Sequence, residues 1–230
     1  MAKTIFQKTF VSGIILAIGL VLFGSVLAPS EKAAGLLAAI IVLIIYGLVG
    51  WIVPQKLDKA NPALLSAAIR FGLLAGLVFS AEIILEYILL PKDNTIYGLV
   101  EFAGVFFLYF LAGLTSAIRT NSLRSGVLSA VLAALISTLI WAIVLLVVFY
   151  LFRGTPQQNL VFQAEGDYAD FAQSGAVNFN TFIVEDFMGA VFYHSLLGPL
   201  IALVLGTVGG LLAKGMTKLL KYKKGFQSRD

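Results

Sequence analysis

The chain has 230 residues, of which 60% are hydrophobic and 12% are charged, and its mean hydropathy is +0.97. A soluble globular domain carries about 25% charged residues, so this composition indicates a membrane protein. The net charge is +4, but the charges lie in short patches between apolar runs, which argues against a nucleic-acid partner. The lack of cysteine excludes disulfides, thiolate-bound zinc and iron–sulfur clusters.

Six apolar stretches meet the length of about 20 residues that a helix needs to cross a bilayer. Proline, asparagine and serine separate them, and the predicted spans are Thr9–Ala28, Ala33–Val53, Leu64–Leu90, Thr95–Ile118, Ser125–Phe152 and Phe182–Ala213. The first run is longer than the roughly 7 to 15 apolar residues of a signal-peptide core, which favours a span over a cleaved signal. The sequence therefore predicts an all-α membrane protein, with 1–230 as a single polytopic domain in a six-transmembrane-helix bundle.

Basic residues are unequally divided between the two ends of these spans. Counted in alternate connecting segments, 12 lie on the side of both termini and 3 on the other side, namely Lys32, Lys92 and Arg153. Positively charged segments stay in the cytoplasm, so we predict N-in/C-in topology. Residues 153–181 then form an extracytoplasmic loop, and 214–230 form a basic cytoplasmic tail. The sequence has no Asn-X-Ser/Thr acceptor, which fits a bacterial inner membrane.

Two polar segments carry predictions of their own. In the outer loop, Leu160, Ala164, Tyr168 and Phe171 recur at helical spacing and predict one short amphipathic helix on the membrane surface, or alternatively a lid over a site. In the tail, a cluster of lysines next to the last span predicts binding to anionic lipid headgroups. Its members are Lys218, Lys221, Lys223 and Lys224.

Parts of the last four spans resemble each other. Arg70-Phe71-Gly72 near the start of the third span matches Arg124-Ser125-Gly126 near the start of the fifth, and Glu101-Phe102-Ala103-Gly104 matches Asp186-Phe187-Met188-Gly189. These matches suggest a parallel two-helix repeat of spans 3–4 and 5–6, related by rotation about the membrane normal. Such a repeat would place Glu101 and Asp186 at equal depths.

Ionisable side chains within a span cost about 2.5 to 3.5 kcal/mol each to insert, so they are candidates for function. Five of them fall in the predicted outer half of the bilayer: Glu82, Glu86, Glu101, Asp186 and His194. We predict that they line one substrate- or cation-binding pocket open to the outside. The alternative interpretation is that some lie at the interface and the others form hydrogen bonds between packed helices.

Three common enzyme motifs are missing from the sequence, namely a Walker lysine motif, His-Glu-x-x-His and Gly-x-Ser-x-Gly. We therefore predict that the protein is not an enzyme and has no catalytic residues, metal site or cofactor. The favoured function is a small transporter or channel-like protein for a cation or a proton-coupled solute. The alternative is a non-catalytic membrane scaffold or accessory subunit. The bilayer is the expected partner, and a membrane protein or a second copy of the chain is a further one.

Overall fold

The fold comes from a computed structural model that describes residues 2–28, 34–56, 62–89 and 95–227. Within these ranges the chain forms eight helices and no strand, which confirms the all-α class. In chain order they are α1 (Ala2–Leu27), α2 (Ala34–Lys56), α3 (Pro62–Leu89), α4 (Thr95–Thr120), α5 (Leu123–Leu151), α6 (Pro156–Glu165), α7 (Asp167–Ser174) and α8 (Phe179–Gln227).

Six of these helices are long and apolar enough to span a membrane, which confirms the predicted six-helix membrane class. The candidate spans are Thr4–Leu27, Ala34–Gln55, Pro62–Leu89, Ile96–Thr120, Leu123–Leu151 and Phe179–Leu219. Several extend beyond the apolar runs, because a helix is held by backbone hydrogen bonds, which do not depend on the polarity of the side chains and continue into the polar flanks. The predicted cytoplasmic tail is one such case, since α8 continues as a helix to Gln227.

Helix α5 forms the centre of the bundle. In an 18-residue apolar stretch of α5, 67% of the residues are buried inside the protein. The corresponding share is 28% in α1, α2, α4 and α8. It packs along α3, α8 and α4 and also contacts α1. Gly72 and Gly76 allow α3 to approach closely, because a side-chain carbon at Gly72 would lie 2.9 Å from the carbonyl oxygen of Ala133, and one at Gly76 would lie 3.2 Å from the Cα of Ser137.

The last four spans do not pack with two-fold symmetry. A rotation that exchanges the α3–α4 and α5–α8 hairpins would make the α3–α8 packing equivalent to the α4–α5 packing. Helix α4 packs along α5, whereas no comparable packing joins α3 to α8 among the described residues, where the rings of Phe79 and His194 meet. The duplication itself stays a prediction from the sequence.

The outer loop forms two helices rather than the single helix that its sequence predicts. Gly166 separates α6 from α7 and has a φ of +88°, a conformation that glycine adopts readily and that ends α6. Thr155 caps the start of α6 by accepting a hydrogen bond from the backbone N–H of Gln158. The buried residues of α6 are Gln158, Val161 and Phe162, whereas Leu160 is exposed. The residues that pack against the bundle therefore differ from the predicted stripe, and contact of that stripe with the membrane surface stays a prediction. We call the end of the bundle at which α6 and α7 lie the outer end.

Candidate functional site

Glu101 is a buried carboxyl group inside a candidate span. It lies five residues after Ile96, about 8 Å along α4 at 1.5 Å per residue, and only 5% of it is exposed. Among the described residues, neither of its carboxyl oxygens has a hydrogen-bond partner. A buried polar group in this condition is rare in folded proteins and calls for a specific explanation.

Glu82 and Glu86 on α3 are the acidic neighbours of Glu101 and act on it electrostatically. The Glu82 carboxyl group also comes near enough to exchange a side-chain hydrogen bond with Glu101 when one of the two acids is protonated. Both are half-buried. Gly98, one turn before Glu101, leaves space for Glu82, because a side-chain carbon at Gly98 would lie 3.2 Å from its Oε1 atom. The structure therefore brings three of the five predicted site residues together between α3 and α4. We call Glu82, Glu86 and Glu101 the carboxyl cluster.

His194 lies deeper in the bundle, next to this cluster. Its ring packs against Trp141 at a centroid distance of 4.3 Å and against Phe79 at 5.7 Å. Its Nδ1 atom is 3.0 Å from the carbonyl oxygen of Ala190, which fixes the ring orientation. Glu82 is its electrostatic neighbour, so His194 extends the line of ionisable groups toward the bilayer centre.

Asp186 is placed elsewhere. It is exposed near the start of α8, and its electrostatic neighbours are Asp167 and Asp170 on α7. The structure thus joins Asp186 to the acidic surface of the outer loop rather than to the carboxyl cluster. The observed position of Asp186 differs from the predicted one for a physical reason. The depth of a residue along α8 can be estimated from the sequence, but the side of the helix on which it lies depends on how the helices pack.

A buried group of hydroxyl side chains lies deeper in the bundle than His194. The sequence did not predict it as part of the site. Tyr109 donates to Ser137 at 2.6 Å, since the Ser137 hydroxyl donates in turn to the Ala134 carbonyl at 3.0 Å. Thr138 is a polar neighbour of both Tyr109 and Tyr46. Glu101 acts electrostatically on Tyr109, which connects this hydroxyl cluster of Tyr46, Tyr109, Ser137, Thr138 and Ser195 to the carboxyl cluster.

Pro199 explains one contact in the hydroxyl cluster. Proline has no N–H, so the carbonyl four residues earlier, that of Ser195, loses its helical hydrogen bond. Tyr46 on α2 donates its hydroxyl proton to that carbonyl at 2.5 Å. The sequence contained half of this signal, because Pro199 inside a span predicts a free carbonyl at Ser195, but it did not identify the donor.

The predicted lipid-binding lysines lie at the opposite end of α8. Lys218 is exposed. The side chains of Lys221, Lys223 and Lys224 lie outside the described residues, and binding of anionic lipid stays a prediction.

The described residues contain no group of three or more His, Asp or Glu side chains placed to hold a metal ion. Comparison of the chain with protein-family models, with curated proteins and with solved structures finds no match.

Proposed function

We propose that this multi-pass membrane protein is a small proton-linked transporter in which Glu101 binds and releases the proton. The observation that carries the proposal is the burial of Glu101 without a direct hydrogen bond to either carboxyl oxygen among the described residues, and with another acid, Glu82, as its polar neighbour. A purely structural glutamate would gain a partner or be exchanged for an apolar residue at little cost.

The carboxyl cluster supports a proton as the bound species. An ionised carboxylate without partners is costly in an apolar interior, and two nearby acids of the same sign add to that cost. A proton removes the charge and needs no ligand geometry, whereas a metal ion needs several converging ligands. No such set occurs among the described residues. Protonated Glu101 is therefore the form that this environment favours.

The order of the side chains supports access from the outer end. Glu86 lies three residues before the end of α3 and Glu82 lies seven before it, about 5 and 10 Å along the helix. His194 and the hydroxyl cluster lie closer to the bilayer centre and provide further polar groups there. In this proposal Glu86, the shallower of the two, connects Glu101 to outside water, and Glu82 and then His194 lie on its inner side.

Infrared spectroscopy of the purified protein tests the proposal directly. Difference spectra between neutral and alkaline buffer, a range in which ordinary carboxyl groups stay ionised, should contain the C=O band of Glu101 as it loses its proton. The variant Glu101→Gln keeps the shape but cannot titrate, so this band should disappear. Glu165→Gln, on the exposed face of α6, is the matched control and should keep the band.

The same variants test proton movement in liposomes. With an electrical potential across the membrane and a pH-sensitive dye inside, we expect Glu101→Gln to lower proton entry at least tenfold relative to wild type and to Glu165→Gln. If Glu101→Gln leaves the infrared spectrum unchanged, Glu101 is not the proton-binding group and the scaffold or accessory-subunit function is favoured.

A further inference from the structure

A cavity lies at the outer end of the bundle, apart from the carboxyl cluster. Its volume is about 280 Å³, near the roughly 300 Å³ lower end of small-molecule pockets. It is lined by residues at the outer ends of α5 and α8 and by residues of α6 and α7. Glu82, Glu86, Glu101 and His194 are not among its described lining residues, so it is a separate feature of the molecule.

Positive charge and hydrogen-bond donors characterise the polar half of the lining. Arg153 is the only charged side chain among the described residues that line the cavity. Its Nη2 atom donates to the carbonyl oxygen of Leu27 at 3.3 Å, which uses one of the five N–H donors of a guanidinium group. The Leu27 contact therefore holds Arg153 in place while other donors remain for a ligand.

Two asparagine amides add donors to this wall. Asn159 accepts a hydrogen bond from the Tyr168 hydroxyl through its Oδ1 atom, at 3.1 Å, so its NH₂ group remains as a donor. Asn180 also lines the cavity. Gln158 is different, because its Oε1 accepts from Gly154 N and its Nε2 donates to Phe149 O, each at 3.0 Å. The Gln158 amide is thus engaged within the protein and is not available to a ligand. The donors that remain, on Arg153, Asn159 and Asn180, favour an anion.

Aromatic rings form the other half of the lining. Tyr168 stacks on Phe179 with the ring centroids 4.6 Å apart, and Phe162 meets Phe179 edge-on at 5.5 Å. Phe149, buried, forms part of the same surface. Flat aromatic walls bind flat apolar groups well, through stacked and edge-on contacts.

We propose that this cavity binds a small organic carboxylate with a flat apolar body, with Arg153 pairing to the carboxylate. A guanidinium group matches a carboxylate with two parallel hydrogen bonds. The aromatic walls distinguish such a ligand from inorganic phosphate, which is strongly hydrated and gains nothing from apolar contact. The proposal is independent of proton binding at Glu101.

Ligand-observed NMR with the full chain in detergent provides the test. Benzoate is the probe, acetate lacks the ring, benzyl alcohol lacks the charge, and inorganic phosphate lacks the apolar body. We expect benzoate to bind at least tenfold more tightly than each of the other three. Partition of the probe into detergent is the same for all protein variants, so differences between variants report on the protein.

Three variants complete the design. Arg153→Gln should weaken benzoate binding at least tenfold and leave benzyl alcohol binding unchanged, whereas Arg153→Lys keeps the charge and should retain part of the benzoate affinity. Arg70→Gln, an exposed arginine on α3, is the matched control and should bind as wild type. The proposal is overturned if wild type does not bind benzoate, if phosphate or benzyl alcohol binds equally well, or if correctly folded Arg153→Gln binds benzoate normally.

Discussion

Tyr46 shows how a single side chain can replace a backbone hydrogen bond within a membrane. Its hydroxyl group satisfies the Ser195 carbonyl that Pro199 leaves without an N–H partner. In a hydrocarbon environment water cannot take that place, so an unmade hydrogen bond here costs the full desolvation penalty of the carbonyl.

Replacing Tyr46 with Phe should therefore destabilise the protein by about 1–3 kcal/mol. Thermal or detergent-induced unfolding of the purified protein measures the change. Pro199→Ala restores the missing N–H, so the cost of Tyr46→Phe should shrink in that background, as a double-mutant cycle detects. Equal costs in both backgrounds would show that the Tyr46 hydroxyl does not serve this carbonyl.

Asp167, in the outer loop, is a carboxyl group whose ionisation is altered by its surroundings. Burial raises its pKa from the ordinary 3.8 to about 7, and the nearby charges of Asp186, Glu165 and Asp170 add to the shift. Because the folded protein holds this proton more tightly than the unfolded chain, stability should fall as the pH rises from about 4 to about 7.

The variant Asp167→Asn should remove this part of the pH dependence and unfold at a higher temperature than wild type at pH 8. Thermal unfolding at pH 5 and pH 8 measures both effects. The two proteins should differ little below pH 4, where the wild-type carboxyl group is protonated in both states. An unchanged difference between pH 5 and pH 8 in the variant would contradict the assignment.

At the scale of elements, glycine sets the distance between α4, α5 and α8. A side-chain carbon at Gly206 would lie 2.6 Å from the Cβ of Ala130 and 3.1 Å from the Cα of Val127. One at Gly113 would lie 2.7 Å from the Cα of Gly206. Three helix backbones therefore meet where none of them carries a large side chain, as small residues permit in membranes.

Gly206→Ala should separate these helices and destabilise the protein by about 1–3 kcal/mol, the usual cost of overpacking. Gly215→Ala on the same helix is the matched control, since no described atom outside the adjoining turns of α8 lies within 4 Å of its new methyl group, and it should leave stability unchanged or slightly higher. The comparison uses unfolding in detergent. Similar values for the two variants would mean that the close contact at Gly206 relaxes without cost.

At the scale of the whole molecule, orientation in the membrane stays a prediction from the unequal distribution of basic residues. A reporter enzyme active only in the cytoplasm should be active when fused after Asp230 and inactive when inserted at Gly166, between α6 and α7. A reporter active only outside should give the reverse pattern. Opposite results at either position would overturn the N-in/C-in topology.

The sequence predicts the spans well and the site in part, for a physical reason. Lipid requires long apolar helices with internally satisfied backbones, and that requirement is visible in composition alone. Glu82 and Glu101 are brought together as their similar depth suggested. Asp186 is not with them, because the rotation of a helix about its axis is decided by side-chain packing with its neighbours. The Tyr46 contact to Ser195 joins residues 149 positions apart, and no local pattern encodes it.

The central position of α5 has a consequence for biosynthesis. The α1–α2 hairpin packs on α5 and α8, and no comparable packing joins it to α3 or α4 among the described residues. During synthesis, α1–α2 and α3–α4 should therefore remain two separate hairpins in the membrane until α5, residues 123–151, has been synthesised and inserted. A nascent chain arrested before α5 should consequently expose both hairpins to membrane proteases and chaperones, and resistance to them should begin once α5 has entered the bilayer.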